Sequence, residues 1–204
     1  MFCWKRKHIT YILPALLSMA ACSNVTQENR VLYPMDSLLE SQIKFLAARK
    51  ATLVKSGMMD GKPDSATYTP ADSAWRTELE MFEMMKMMNK PAIRQRLLVD
   101  DGLFDPSSNL TVKAFSEIPA KTGEKPLPLK YVRVFYLESP LKPLRIEALT
   151  EEENTMYSNT RLVQLNFSPI GNDMILTGYS VEGKQKMMLS DSVVFKLQGR
   201  ILLK

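Results

Sequence analysis

The sequence predicts an α+β fold, an N-terminal antiparallel helix pair packed on a C-terminal curved antiparallel β-sheet, arranged as a half-barrel-like meander. Three observations carry that expectation. Apolar residues recur at helical spacing over 36–56 and again from about 70 to 88. From Arg94 onward the period falls to two. The helical segments come first and the strands follow, instead of alternating with them, which is the order of α+β domains.

The first 22 residues precede that pattern. Lys5, Arg6 and Lys7 form a basic start, and an apolar run from Ile9 to Ala21 follows, interrupted by Thr10, Pro14 and Ser18. A membrane-spanning helix needs about 20 apolar residues, more than this run supplies. Basic, apolar and then small residues in that order predict a signal peptide over 1–21. The segment Ser18-Met19-Ala20-Ala21-Cys22 resembles a bacterial lipobox, with Met19 where Leu is usual. That resemblance implies lipidation of Cys22: the thiol is acylated, the leader is cut away, and the new amino terminus is acylated in turn. Several acyl chains anchor a protein stably where one binds only marginally. Ser23-Asn24-Val25-Thr26-Gln27 carries neither an Asp directly after the Cys nor an acidic run. The first resembles an inner-membrane retention signal and the second a surface-export signal, and their absence implies, as an expectation, an outer-membrane location, lipid-anchored and periplasm-facing.

Residues 22–34 are polar up to Pro34 and read as a lipidated tether. One α+β domain is expected over 35–204, helical over 35–92 and sheet over 93–204. Asp36-Ser37 offers an N-cap to a helix over 36–56, with Leu38, Leu39, Ile43, Leu46 and Ala47 at helical spacing and Gly57 as its stop. Residues 57–70 read as a loop. A second helix runs from 70–72 to Met88. Trp75, Leu79 and Phe82 mark its apolar face, Met81, Met84, Met85 and Met88 widen it, Asn89 caps it, and Pro91 ends it. Arg96–Asp100 and Asn109–Phe115 predict an irregular hairpin, and 119–128 a Pro- and Gly-rich linker. Strands are expected over 129–137, 144–149, 161–167, 174–181, 186–189 and 193–203, joined as a meander. By element order, a curled sheet of this kind resembles the half-barrels of lipoprotein carriers and of cystatin-like folds.

Composition narrows the chemistry. The leader carries three basic and no acidic residues, so much of the formal charge of +5 leaves with it. No basic patch interleaved with aromatics remains, and nucleic acid is not an expected partner. His8 is the single histidine and Cys3 the single cysteine besides Cys22, and both lie in the leader. Triad catalysis, His-based zinc sites, disulfides and thiol redox chemistry are thereby excluded from the mature chain. The expectation is not an enzyme, with no cofactor and no metal; carboxylate-only and Ser-Lys arrangements stay open.

Each conspicuous motif has a bland reading beside the chemical one. Met81, Met84, Met85, Met87 and Met88 are thioethers that suit Cu(I), but Met also fills cores, and core packing is the favoured reading. Asp100-Asp101-Gly102 with Asp105 lacks the spacing of a calcium loop and reads as turn chemistry. Glu151-Glu152-Glu153 reads as a solvated turn, and Lys184 and Lys186 beside Gly183 as a surface hairpin. Asp36-Ser37, Asp64-Ser65, Asp72-Ser73 and Asp191-Ser192 each precede an apolar residue, a pattern that resembles the O-glycosylation acceptor of exported Bacteroidota proteins. Capping explains Asp36 and Asp72, which leaves Ser65, in the expected loop, as the candidate acceptor.

Three stretches, Trp75-Arg76-Thr77-Glu78-Leu79-Glu80-Met81-Phe82, Asn89-Lys90-Pro91 with Arg94, and Glu182-Gly183-Lys184-Gln185-Lys186-Met187-Met188, resemble a family of uncharacterised Bacteroidota lipoproteins. The resemblance implies a compartment and domain limits and supplies no catalytic residue. The expected function is a non-catalytic binding or scaffolding module of the cell envelope, held to the membrane by acyl chains and facing an envelope protein. The alternative is a carrier or acceptor of a lipid or other hydrophobic ligand, held in a sheet–helix cleft lined by Trp75, Phe82, Met85, Phe135 and Phe167.

Overall fold

Nine strands, paired antiparallel throughout, make one sheet in the order β2-β1-β9-β8-β7-β6-β5-β4-β3. They are β1 (Thr52–Met59), β2 (Lys62–Tyr68), β3 (Leu97–Asp105), β4 (Leu110–Glu117), β5 (Leu129–Tyr136), β6 (Arg145–Glu153), β7 (Tyr157–Ile170), β8 (Asp173–Met187) and β9 (Val193–Leu202). The computed structural model describes residues 31–188 and 191–203, and Val31–Lys204 is one compact unit. Cys22 and the expected signal peptide lie outside the described residues.

The expected helix pair packed on a sheet is not what forms. Strand accounts for 51% of the described residues and helix for 20%. The first expected helix stops early: α1 (Met35–Ala48) is followed at once by β1. Its buried side chains are Met35, Leu39, Gln42 and Leu46, one stripe at 3.6-residue spacing. Beyond Ala48 the residues alternate, with Leu53 inside and fully buried, and the backbone of 52–59 pairs with β9. The expected loop over 57–70 is β2, folded back on β1 through a two-residue turn at Asp60-Gly61, where Met59 faces Lys62. Both turn residues have positive φ (48° and 79°), which Asp-Gly supplies in tight hairpin turns. The division into a helical part over 35–92 and a sheet part beyond therefore fails, because β1 and β2 belong to the sheet. Asp36-Ser37 is not the N-cap either: Pro34 holds that position, and Ser37 Oγ donates to the Pro34 carbonyl at 3.2 Å.

The second expected helix is a relay of shorter pieces: α2 (Ala74–Leu79), a 3-10 helix (Glu80–Asn89) and α3 (Pro91–Arg94). Its burial follows its geometry. Trp75 and Leu79 are four apart within α2, and Leu79, Phe82, Met85 and Met88 then follow at intervals of three. Three residues per turn is the 3-10 repeat, so one side chain per turn enters the core. The relay also has a topological task. β2 and β3 are consecutive in the chain but occupy opposite edges of the sheet. Residues 69–96 must cross its inner face, and the three pieces together span about 35 Å at helical rises of roughly 1.5 and 2.0 Å per residue.

The inner face is built in rows. Val134, Ile146, Leu165, Tyr179, Gly199 and Lys55 face one another in succession across β5, β6, β7, β8, β9 and β1. The next row runs Phe115, Val132, Ala148, Val163, Val181, Leu197 and Gly57. Gly199 is required in its row, because a Cβ there would lie 2.3 Å from the Tyr179 ring. α1 is docked on the sheet by Gln42, whose Nε2 donates to the Met174 carbonyl (3.0 Å) and whose Oε1 accepts from the Leu176 amide (2.8 Å).

Candidate functional site

The five residues expected to line a ligand cleft do not form one. Trp75, Phe82 and Met85 are fully buried and Phe167 nearly so, all within one packed cluster. Phe82 meets the Tyr179 ring edge to face at 5.4 Å. Phe135 lies on the opposite face of the sheet in a small separate cluster with Val112 and Ala114, and the Arg145 guanidinium sits 3.8 Å above its ring. The strand period sets this: Val132 and Val134 point inward, so Phe135 points out. Met85 and Met88 are core residues, and Met81 and Met84 pack against the core from the partly exposed side. Ser65 is exposed on β2, the edge strand, and not in a loop.

Three ionic nodes stand out: one fastens the helical relay to the sheet, one the long connection, and one ties β3 to β4 and β5. Glu78, on α2, accepts from Lys55 Nζ (2.8 Å), Tyr68 Oη (2.6 Å) and Tyr179 Oη (3.3 Å), which come from β1, β2 and β8. Burial pushes the Glu78 carboxyl up, but the hydrogen bonds from Lys55 and Tyr68 outweigh it and hold the pKa below the ordinary glutamate value. Burial and the bond to Glu78 push Tyr68 up to about 12. Glu117 does the same for the 119–128 connection, accepting from Lys130 Nζ at 2.8 Å and from the Leu127 amide, with Arg96 Nη2 at 3.4 Å. Asp101, at the β3 bulge, accepts from Lys113 Nζ (2.8 Å) and Tyr136 Oη (2.9 Å). Among the described residues, every carboxylate with a shifted pKa (Glu40, Glu78, Asp101, Asp105 and Glu117) is shifted down. Their hydrogen-bond donors favour the ionised form, the opposite of the shift that suits a general acid.

The best-formed cavities are surface hollows with mixed polar and apolar linings. One of about 410 Å³ lies between the 119–128 connection and the β6–β7 end, lined by Lys125, Lys130, Glu151, Glu152, Asn154 and Tyr157 among others. The three glutamates belong to the exposed end of β6, where successive side chains point to opposite faces, and Tyr157 Oη donates to Glu152 at 3.0 Å. Another, of about 530 Å³, lies on the outer face of β7, β8, β9 and β1. There Gln164, Ser180, Gln198 and Ser56 form a row of neutral polar side chains. Among the described residues no group of three or more His, Cys, Asp or Glu is placed to hold a metal ion. Lys184 and Lys186 lie within β8, with Thr160 and Ser158 as their register partners, and not in a hairpin turn.

Two features were not anticipated. The first is a clamp where the folded unit begins. Asn89, at the end of the 3-10 helix, accepts from the Leu32 amide at 2.9 Å and donates to the Tyr33 carbonyl at 2.8 Å, and Tyr33 Oη donates to the Pro140 carbonyl at 2.8 Å. The second is a set of exposed apolar side chains at the two ends of the sheet. Phe104, Leu137, Leu141 and Ile170 occupy one end; Met58, Met59, Met156, Met187, Met188 and Val194 occupy the other. Their only sequence signal was apolar residues beside turns.

No protein-family model, curated protein or solved structure matches the chain. Among the described residues, no helix is long and apolar enough to cross a membrane.

Proposed function

We propose that the protein is an outer-membrane-anchored, periplasm-facing lipoprotein that works as a non-catalytic binding or scaffolding module of the cell envelope. The observation that carries this reading is the run of basic, apolar and small residues ending at Cys22. The resemblance of 75–82 and 182–188 to Bacteroidota lipoproteins points the same way. The packed interior supports the binding role over a carrier role. A hydrophobic ligand would need space beside the Trp75–Met88 face, and Trp75, Phe82, Met85 and Met88 are fully buried there. What the domain offers other molecules is its surface. The carboxylate clamps, saturated with donors and held ionised, support a structural role for the acidic groups.

Cell fractionation of a Cys22→Ala variant tests the anchor. The variant is expected in the soluble periplasmic fraction, and a variant that stays with the membranes refutes the lipoprotein reading. Native mass spectrometry of the released chain tests the carrier alternative, for which a co-purifying lipid-sized mass would be required.

A further inference from the structure

The sheet has two ends, each with exposed apolar side chains, and the path of the chain distinguishes them. The β3–β4, β5–β6 and β7–β8 connections lie side by side at one end, because the strands pair in sequence order. Phe104 (66% exposed), Leu137 (65%) and Leu141 (67%) stand there, with Ile170 beyond them. The folded unit begins at the same end. Tyr33 is fastened to Pro140 within the β5–β6 connection, and Val31, two residues earlier, is itself exposed. The methionine-rich end is far away: β8 alone is 15 residues long, about 50 Å at the rise of a strand.

Cys22 lies nine residues before Val31, and nine residues reach about 30 Å at full extension. We propose that the Phe104–Leu137–Leu141 end is a membrane-contact face, lying on the bilayer that holds the acyl chains. This inference rests on the lipoprotein reading above and specifies the orientation in which the domain is held. The occupant is a lipid surface and not the tether, since 23–30 is Ser-Asn-Val-Thr-Gln-Glu-Asn-Arg, with one apolar residue to offer. Both ends carry exposed apolar side chains, but only this one lies where the chain arrives from Cys22, and apolar side chains there suit a lipid surface. Acyl chains confine the domain to the membrane, so a contact too weak to recruit a free protein suffices to orient a tethered one. The opposite end, with Met58, Met187 and Met188, is then held away from the bilayer and toward the envelope space.

The test uses the full lipidated chain reconstituted into vesicles of phosphatidylethanolamine and phosphatidylglycerol. A polarity-sensitive fluorophore is placed at Leu141→Cys or, in a second protein, at Met188→Cys, and quenched by lipid-borne spin labels. Leu137→Cys repeats the first position in case one substitution disturbs the connection. The label at 141 or 137 is expected to be quenched several-fold more than the label at 188. Equal quenching, or stronger quenching at 188, overturns the proposal. A blue shift without quenching also overturns it, because the face is then covered by protein. The acyl mass on Cys22, read on the same preparation, separates the two failures. With the acyl chains present and no quenching at 141, the orientation falls and the anchor stands; without them, both fall.

Discussion

Truncating Phe82 to alanine distinguishes a packed interior from a ligand cleft, and the structure sets the size of the effect. Phe82 is fully buried, lies in the first turn of the 3-10 helix and makes an edge-to-face contact with Tyr179. Its ring projects between the helical relay and the central row of the sheet, with Leu79 and Met85 on either side at the same spacing. Deleting a buried phenyl ring from such a site costs about 3–5 kcal/mol, because the neighbours collapse only in part. For a folded unit of this length each kcal/mol moves the midpoint by roughly 2–4 °C, so the expected loss is about 6–20 °C. Thermal unfolding of the purified full chain and its Phe82→Ala variant, followed by near-UV circular dichroism, reads it directly. A ring lining an open cleft would already have solvent or ligand on one side, and its removal would cost about 1 kcal/mol at the low end of the transfer scale. A midpoint within about 4 °C of the parent, with the native spectrum retained, would refute the packed interior and restore the cleft.

Other predictions follow from single contacts. Gly199→Ala drives a Cβ into the Tyr179 ring, and the strain of moving that ring off its row is expected to cost about 1–3 kcal/mol in urea unfolding; a smaller second change in Tyr179→Ala, Gly199→Ala than in Gly199→Ala alone would trace the cost to the ring. Glu78 has its pKa held below the ordinary glutamate value in the fold, so its contribution is fully present above the unfolded-state pKa of about 4.3 and is lost as pH falls through the lower folded value. Stability profiles of the parent and Glu78→Gln should therefore differ most near neutral pH and converge in acid, and a constant gap at all pH values would contradict the clamp. Asn89→Ala removes the partners of Leu32 and Tyr33, and hydrogen exchange at the Leu32 amide should quicken while the Leu165 amide, in the central row, keeps its protection.

Much of the sheet was legible because its pattern is local. β6 and the middle of β7 alternate between buried and less buried positions, and the expected strands over 129–137, 144–149, 161–167, 174–181 and 193–203 fall within or beside the observed ones. Two signals in the first half went unread. Asp60-Gly61 between two short runs is the strongest short-range hairpin signal available, yet Pro63 and the wholly exposed β2 disguised the second run as a loop. Pro63 is tolerated because β2 is an edge strand, with one side of its backbone unpaired. The interval of three from Leu79 to Met88 was the other signal. Read with Trp75 it passes for one α-helical face, and only the spacing after Leu79 distinguishes a 3-10 repeat. The cleft residues failed for a non-local reason. Tyr131, Arg133 and Phe135 alternate against Val132, Val134 and Tyr136, and both sets contain apolar side chains. Nothing local says which set faces the helices; that is decided by the pairing of Val132 with Ala148 and Val134 with Ile146.

The same non-local pairing explains how the protein closes its interior with so little helix. A sheet of nine strands leaves one face to be covered along its width, and the only chain segment joining its two edges is 69–96. An α-helix of the same ten residues would advance about 15 Å where the 3-10 segment advances about 20 Å. The longer rise places Phe82, Met85 and Met88 along the crossing instead of crowding them at one edge. It exacts looser hydrogen bonding in the relay, which is offset by polar anchors at both ends: the Glu78 carboxylate to β1, β2 and β8 at its start, and the Asn89 amide to the arriving chain at its finish. Asn89 thereby ties the relay to the residues that lead back toward Cys22. Leu32 and Tyr33 thus bond the start of the folded unit to the end of the 3-10 helix and to the β5–β6 connection, and not to an edge strand of the sheet.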